Sequence, residues 1–406
     1  MSGQSFRFLH ASDFHLEEPL GGLAEVPPHL GELFLDAPFT AAERVFDVAV
    51  RERVDFVILS GDLLEPTLAG PRGISFLLNQ FERLNAHGIA VYWAGGKCDG
   101  PQDWPNAAKL PTNVQVFPGY KCEELTHLRG ERAIACIVGR SWHGNAIQAA
   151  DYAVDAGNLF SIGVGYGPLE LSKVSALRVD YWALGGRHER QTVGGSPIYY
   201  PGTPQGRSPA ELGPHGCTLV HVADDHSLRT QFIATDAARW LDETVQVEAD
   251  ETRTDVKRRI AERMKQLLVD AVERPLLVHW NIAFSHRLGS VTRCREWAAE
   301  LLEWLRAEFG SGKDPVYTLA VETGDEQSLS AEWFVEESML GDFLRVMRSQ
   351  DSNDAIPLDL LPYVPERART TTLAAIASWN DAEKRSSLLR EAAHLGARLL
   401  GAEERV

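Results

Sequence analysis

Four short segments of this 406-residue chain carry side chains able to hold a divalent cation or a phosphate: Asp13-Phe14-His15, Gly61-Asp62, Gly96-Lys97-Cys98-Asp99 and Gly185-Gly186-Arg187-His188. Carboxylate oxygen and imidazole nitrogen are the donors that hard and borderline divalent ions select. Asp13 and His15 stand two apart, so one loop can aim both at a single point. A lone Asp-x-His or Gly-Asp is common and carries little information; several such segments, each after a strand, carry much more. Lys97, Arg187 and Arg207 could meet a phosphate, or simply face solvent. Cys98 leaves three roles open: an inert small residue, a soft ligand favouring zinc, or a proton donor.

The elements that must position these groups can be read along the first ~235 residues, where short apolar runs alternate with helical patterns. Phe6 to Ala11 is apolar and ends just before Asp13. Val54 to Ser60 is β-rich and stops at Gly61-Asp62; Ile89 to Ala94 stops at Gly95-Gly96. Thr40-Ala-Ala-Glu43 has the form of a capping box and predicts a helix opening there; a second helix is expected over Ser75 to Asn85. Further strands are expected at Leu159 to Val164, Tyr181 to Leu184, Thr218 to His221 and Thr230 to Ile233. In α/β sheets the chemistry gathers on loops at the carboxyl ends of strands, which is where each segment falls. His10, inside the first run, is expected to be a satisfied core histidine; His143, His215 and His221 lack ligand-like spacing.

Beyond Trp240 the pattern changes. Strands at Val245 to Glu248, Leu276 to Phe284 and Val316 to Val321 alternate with helices at Thr252 to Val272 and Val291 to Phe309. The expected organisation is 1–240 as a first domain, 241–329 as a small α+β domain and 330–406 as a helical tail. The last helix, over Leu373 to Leu400, could pack on its own domain or dock on a partner's helices.

The formal charge is −17; the stretch before Trp240 has 19 basic and 27 acidic residues and the rest 21 and 30, so neither half is a basic module. Strong autonomous binding to a nucleic-acid backbone, which needs clustered Lys and Arg, is therefore not expected. The five cysteines are scattered with no Cys-x-x-Cys, which points to a reducing, cytoplasmic compartment. Neither a secretory leader nor an apolar run of the ~20 residues a membrane span needs is apparent.

The match to a known family runs past the ligands. Phe8-Leu-His-Ala-Ser-Asp-Phe-His15, Glu18-Pro-Leu-Gly-Gly-Leu23, Val54 to Leu63, Asp180 to Gly185 and Pro201-Gly-Thr-Pro-Gln-Gly-Arg207 together resemble calcineurin-like metallophosphoesterases, and within them the SbcD/YhaO-type DNA repair exonuclease subunits. The resemblance implies an α/β fold, a metallophosphoesterase β-sandwich flanked by helices, followed by a small α+β capping-type domain and the helical tail. It also implies that Asp13, His15 and His188 hold a first metal, with Asp62 bridging to a second. The exclusive ligands of that second metal are replaced: Lys97 stands for Asn, Tyr166 for His and Gly186 for His. Cys98 stands for the family's protonating His, and Asp99, that residue's companion, remains. Lys97 could pair the Asp62 carboxylate left without its second ion.

The activity implied by the resemblance is phosphodiester hydrolysis on DNA, weakened or lost, with one divalent ion (manganese or zinc) favoured over two. Two other readings stay open: a non-catalytic subunit binding DNA ends or an SbcC-like coiled-coil ATPase, and a single-metal phosphodiesterase acting on a smaller phosphoester. DNA contact would come mainly through a partner, and family members of this type usually pair as homodimers.

Overall fold

The computed structural model describes residues 4–23, 26–153, 156–169, 179–193, 197–248, 251–271, 274–284, 291–310, 316–325 and 331–351, with short pieces between 358 and 400. The chain runs through β1 (Phe6–Ala11), α1 (Gly31–Arg51), β2 (Phe56–Leu59), α2 (Pro66–Ala86), β3 (Ala90–Ala94), β4 (Val114–Phe117), β5 (Glu123–Arg129) and β6 (Arg132–Gly139). It continues through β7 (Phe160–Tyr166), β8 (Tyr181–Gly185), β9 (Gln191–Thr192), β10 (Ile198–Tyr200), β11 (Gly216–Val222) and β12 (Leu228–Ala234). Two six-stranded mixed sheets result, in the orders β12-β11-β1-β2-β3-β4 and β5-β6-β7-β8-β10-β9. In the first, β1 to β4 run parallel and the β11–β12 hairpin adds antiparallel to β1. In the second, β6, β7, β8 and β10 run parallel.

Strand side chains alternate faces, and here both faces are covered, which is why the runs read as continuously apolar. Phe8, Phe56, Ile58 and Tyr92 of the first sheet meet Phe160, Ile162, Tyr181 and Ala183 of the second in one cluster. Leu9, Ala11, Val57, Leu59, Val91 and Trp93, on the opposite face, pack on Val45, Phe46, Leu77 and Phe81 of the two helices. A third cluster, with Cys136, Tyr152, Trp182, Leu184 and Ile198, covers the outer face of the second sheet. Burying one such Phe or Leu completely is worth ~1.5–3 kcal/mol, so layering, not helix propensity, sets the architecture.

Two helix expectations are corrected. Thr40 to Glu43 lies inside α1, which begins at Gly31. Its apolar stripe continues upstream through Phe34, Ala37 and Pro38, and burial of that stripe outweighs the local capping signal. Pro38 has no N–H for the Phe34 carbonyl, and the Leu20 N–H donates to that carbonyl instead, at 2.9 Å. The second helix begins well before Ser75, but is kinked at Gly70 (φ 59°), just before Pro71. The strands β4, β5 and β6 lie outside the sequence expectations. β5 is half-exposed and polar, so its alternation gives a weak signal.

Contacts divide the described chain into two units: 1–245 with 251–282 and 298–322, and 246–250 with 283–297 and 323–406. The first unit includes much of the second sequence region. There Trp240 and Leu277 join Leu20, Leu30 and Phe34 in a buried cluster. Strands Arg239–Val247, Leu276–Phe284 and Val316–Asp325 form a three-stranded sheet. Within the second unit, Ala393, Ala397 and Leu400 of the tail pack with Leu340, Phe343 and Leu344, while Leu395 and Leu399 are exposed. Most of the expected last helix lies outside the described residues.

Candidate metal centre

The carboxyl ends of β1, β2, β3 and β8 converge because one backbone comes unusually close to another. A Cβ at Gly185, the last residue of β8, would lie 1.8 Å from the Ser60 carbonyl oxygen that follows β2. Glycine there lets the loop after β8 reach the loop after β1. The Gly186 N–H then donates to both oxygens of Asp13, at 3.1 and 3.0 Å, and Ser12 Oγ donates to Oδ2 at 2.5 Å.

The loops after β1 and β2 are held in costly conformations. Asp13 (φ 56°), His15 (φ 45°) and Asp62 (φ 51°) all adopt left-handed backbone, which L-residues avoid. Each such residue costs on the order of 1–3 kcal/mol and persists only where its surroundings fix it. Here the Asp13, His15 and Leu16 N–H groups donate to the carbonyls of Gly61, Asp62 and Leu63 at 2.9, 3.1 and 3.1 Å, fastening one loop to the other. Strain gathered at three residues of chemical interest is the backbone observation that points to this place as a candidate site.

Asp13, His15 and His188 each present a ligand atom within a 4.8 Å group. Both nitrogens of His15 are buried and lack a hydrogen-bond partner. A buried imidazole whose Nδ1 lies 3.4 Å from Glu17 Oε1 and whose Nε2 lies 3.9 Å from Asp62 Oδ2, with no closer partner at either nitrogen, fits a cation among those carboxylates. His188 Nδ1 lies 2.7 Å from Glu211 Oε1, and Glu211 Oε2 accepts the Arg207 N–H at 2.7 Å. A carboxylate behind an imidazole orients a ligand and strengthens its basicity. Burial raises the Glu211 carboxyl, but His188, the Arg207 N–H and the Arg207 charge outweigh it and lower it to about 2.

The remaining groups divide by what they touch. Asp62 Oδ1 accepts the Cys98 N–H at 2.8 Å, and Oδ2 accepts the Tyr166 hydroxyl in a short hydrogen bond. The Tyr166 phenol is pushed far above its ordinary range by burial and then by Asp62. Lys97 is exposed, with Nζ 5.6 Å from the centre of the Trp142 ring, and no Lys97–Asp62 ion pair is found among the described residues. Tyr166, not Lys97, therefore partners that carboxylate. Asp99 is buried and accepts four N–H groups, from Asp62 at 2.9 Å, Gly96 at 2.5 Å, Leu63 at 2.9 Å and the Trp93 indole at 3.2 Å. Its contacts tie the β2 and β3 loops together. Burial pushes its carboxyl up to about 7 against the pull of those donors.

Arg207 is buried; its guanidinium pairs with Glu18 and lies 2.9 Å from His188 Nδ1. Arg187 is exposed, bonded to Gln191 and 4.8 Å from the Tyr200 ring centre. Burial, followed by the charges of Asp62 and Glu17, raises the Cys98 thiol to about 12. His10 is a core residue, bonded to Tyr181 and Ser60 and lowered to about 3 by burial. Sequence reasoning missed Glu17, Glu211 and the Tyr166–Asp62 bond. Only Glu17, four residues past Asp13, had a local spacing that could have drawn notice.

Residues 6–200 match the family model for calcineurin-like phosphoesterases. Over this segment the chain is similar to calcineurin-like phosphoesterases. The chain is also similar to the uncharacterized metallophosphoesterase YhaO of Bacillus subtilis (strain 168), with 34% identity over 234 residues. That match covers 53% of this chain and 57% of the relative, so it spans little more than half the length of either. Among the described residues, no helix is long and apolar enough to cross a membrane.

The family implies divalent metal, and Asp13, His15 and His188 are the donors that fit one. Burial, set against the Ser12 and Gly186 hydrogen bonds, raises the Asp13 carboxyl to about 6. An ion needs Asp13 ionised and His15 neutral. Manganese affinity should therefore rise with pH through the Asp13 value of about 6 and go on rising until His15, which burial lowers but Glu17 holds above its ordinary 6.5, has lost its proton. The ion-free fold has the opposite sign. Because the folded value exceeds the ordinary 3.8, the Asp13 contribution to stability is present below about pH 4 and lost as pH rises through about 6. Calorimetric manganese titrations between pH 5 and 8 check this; a flat affinity would remove Asp13 from the ligand set.

Proposed function

We propose that this domain is a one-ion metallophosphoesterase whose grip on a phosphodiester outlasts its power to cleave it. In this reading it is an SbcD-like subunit that presents a DNA end or similar phosphodiester beside an SbcC-like ATPase. The observation that carries the proposal is Tyr166. Its ring packs against Gly61 and Gly186, and its hydroxyl is bonded to Asp62, the carboxylate that the family resemblance has bridging to a second metal. A neutral phenol thus satisfies the carboxylate where a cation would have stood.

Other residues support slow chemistry. A divalent ion at Asp13, His15 and His188 would supply positive charge to phosphate oxygens. The Glu211 carboxylate fixes the imidazole of His188, and the exposed Lys97, over the Trp142 ring, and Arg187, bonded to Gln191, stand at the rim where further phosphate oxygens would lie. Protonating the leaving oxygen is the weak step. The Cys98 thiol, raised to about 12, is a poor acid near neutrality, and Asp99 is engaged by four N–H groups. Losing a positioned general acid typically costs ~10²–10⁴ in rate. The net charge of −17 favours DNA contact through a partner over contact by this chain alone.

Elemental analysis after chelation and reloading with manganese tests the reading. About one ion per chain is expected, lost in Asp13→Ala. Two ions per chain would restore an ordinary two-metal enzyme and overturn the proposal.

A further inference from the structure

A second group of donors lies beside the first. His15, Glu17 and Cys98 each offer one ligand atom, and these three atoms also fall within 4.8 Å of one another. Cys98 occupies this place because its own N–H is tied to Asp62 Oδ1, at 2.8 Å. The Glu17 side chain is only 4% exposed. Its Oε2 is held by the Glu65 N–H at 2.9 Å, while Oε1 lies 3.4 Å from His15 Nδ1. That imidazole is itself 7% exposed, with neither nitrogen hydrogen-bonded. One oxygen pinned by a backbone N–H, a second oxygen 3.4 Å from a buried imidazole, and a sulfur on a residue whose own N–H is tied to Asp62 make a built pocket, not a chance acidic patch.

We propose that His15, Glu17 and Cys98 form a zinc site, an alternative position to the one at Asp13, His15 and His188. The donor types decide the ion. Thiolate with imidazole and one carboxylate suits zinc, whereas manganese and magnesium prefer oxygen-rich sets. Three protein ligands leave a fourth position open, as in zinc sites that accept an external group. The shared residue decides the relation between the two sites. A neutral imidazole has one lone pair, so His15 serves one ion at a time and zinc at Cys98 excludes manganese at Asp13. The metal supplied to the protein thereby selects which loop holds it. This goes beyond the one-ion reading, since neither Glu17 nor Cys98 takes part in the manganese position.

Cobalt, a spectroscopic substitute for zinc, separates the two sites because only one contains sulfur. Chelated full-length protein titrated anaerobically with cobalt should develop a thiolate-to-cobalt charge-transfer band that saturates near one equivalent. Zinc should bleach the band stoichiometrically, and zinc-loaded protein should bind manganese at least about tenfold more weakly than the chelated protein. The band should vanish in Cys98→Ser and require about 10–100-fold more cobalt in Glu17→Gln, while persisting in Asp13→Asn. Circular dichroism confirms that each variant is folded. Absence of the band in the parent protein, or its survival in Cys98→Ser, would overturn the proposal. So would its loss in a folded Asp13→Asn, because sulfur would then belong to the first site. Failure of the one-ion reading would appear separately, as two manganese ions per chain with no change in the cobalt spectrum.

Discussion

A chain carrying Lys97→Asn, Cys98→His, Tyr166→His and Gly186→His together is expected to bind two manganese ions. Its phosphodiester cleavage should exceed that of the parent by at least about 10²-fold, the usual scale for restoring an acid or a metal contact. No single reversal should achieve this, for reasons the geometry supplies. A Cβ at Gly186 would lie 3.0 Å from the Tyr166 ring carbon that bears the hydroxyl, so a larger side chain there needs Tyr166 removed. Gly186 also has φ +89°, a conformation that strains any other residue until a new contact compensates. Removing Tyr166 alone opens space but leaves Asp62 Oδ2 without the hydroxyl it now accepts, and no cation to replace it. Turnover of an aryl phosphodiester, with ion content measured on the same samples, reads both halves of the expectation. A folded quadruple variant that still binds one ion and stays inactive would mean that more of the cleft differs than these four positions.

Asp99→Asn is expected to destabilise the domain more than loss of any residue at the rim. At pH 8, above its raised value of about 7, the carboxylate accepts from Asp62, Leu63, Gly96 and the Trp93 indole. An amide turns one oxygen into a donor, which then faces two N–H groups that cannot accept. Two buried donors left unsatisfied cost ~1–3 kcal/mol each. The sum is ~2–6 kcal/mol, which for a unit of this size lowers Tm by roughly 10 °C. Manganese affinity should fall as well, since Asp99 fixes the Asp62 loop against the Gly96 loop. Thermal unfolding and manganese titration of the variant check the two effects. A Tm within about 2 °C of the parent would show that the four hydrogen bonds do not hold the loops.

Much of the fold was legible because both faces of each central strand are buried. Phe6 to Ala11, Val54 to Ser60 and Ile89 to Ala94 are mostly apolar, and a run without strict alternation that stops near Gly or Asp reads as an inner strand. The first residues of the helices were not legible. The Thr40 to Glu43 signal was real in form, but the upstream stripe through Phe34 and Ala37 found a partner surface that no local pattern reveals. β5 escaped notice because an exposed edge strand carries polar residues.

The same division runs through the site. By itself, the sequence determined which side chains stand at the ends of the strands: Asp13 and His15 on one loop, Asp62 on a second, Lys97 to Asp99 on a third, His188 on a fourth. Contiguity within a loop is a local property, so spacing suffices to read it. Only the tertiary structure decided how those loops meet: that Tyr166 bonds to Asp62 across 104 positions, that Glu211 stands behind His188, and that Glu17 is grouped with His15 and Cys98. The first of these pairings is possible because Gly185 lets the second sheet come close to the first. Contact between backbones of different sheets is set by packing, which leaves no periodic trace in the order of residues.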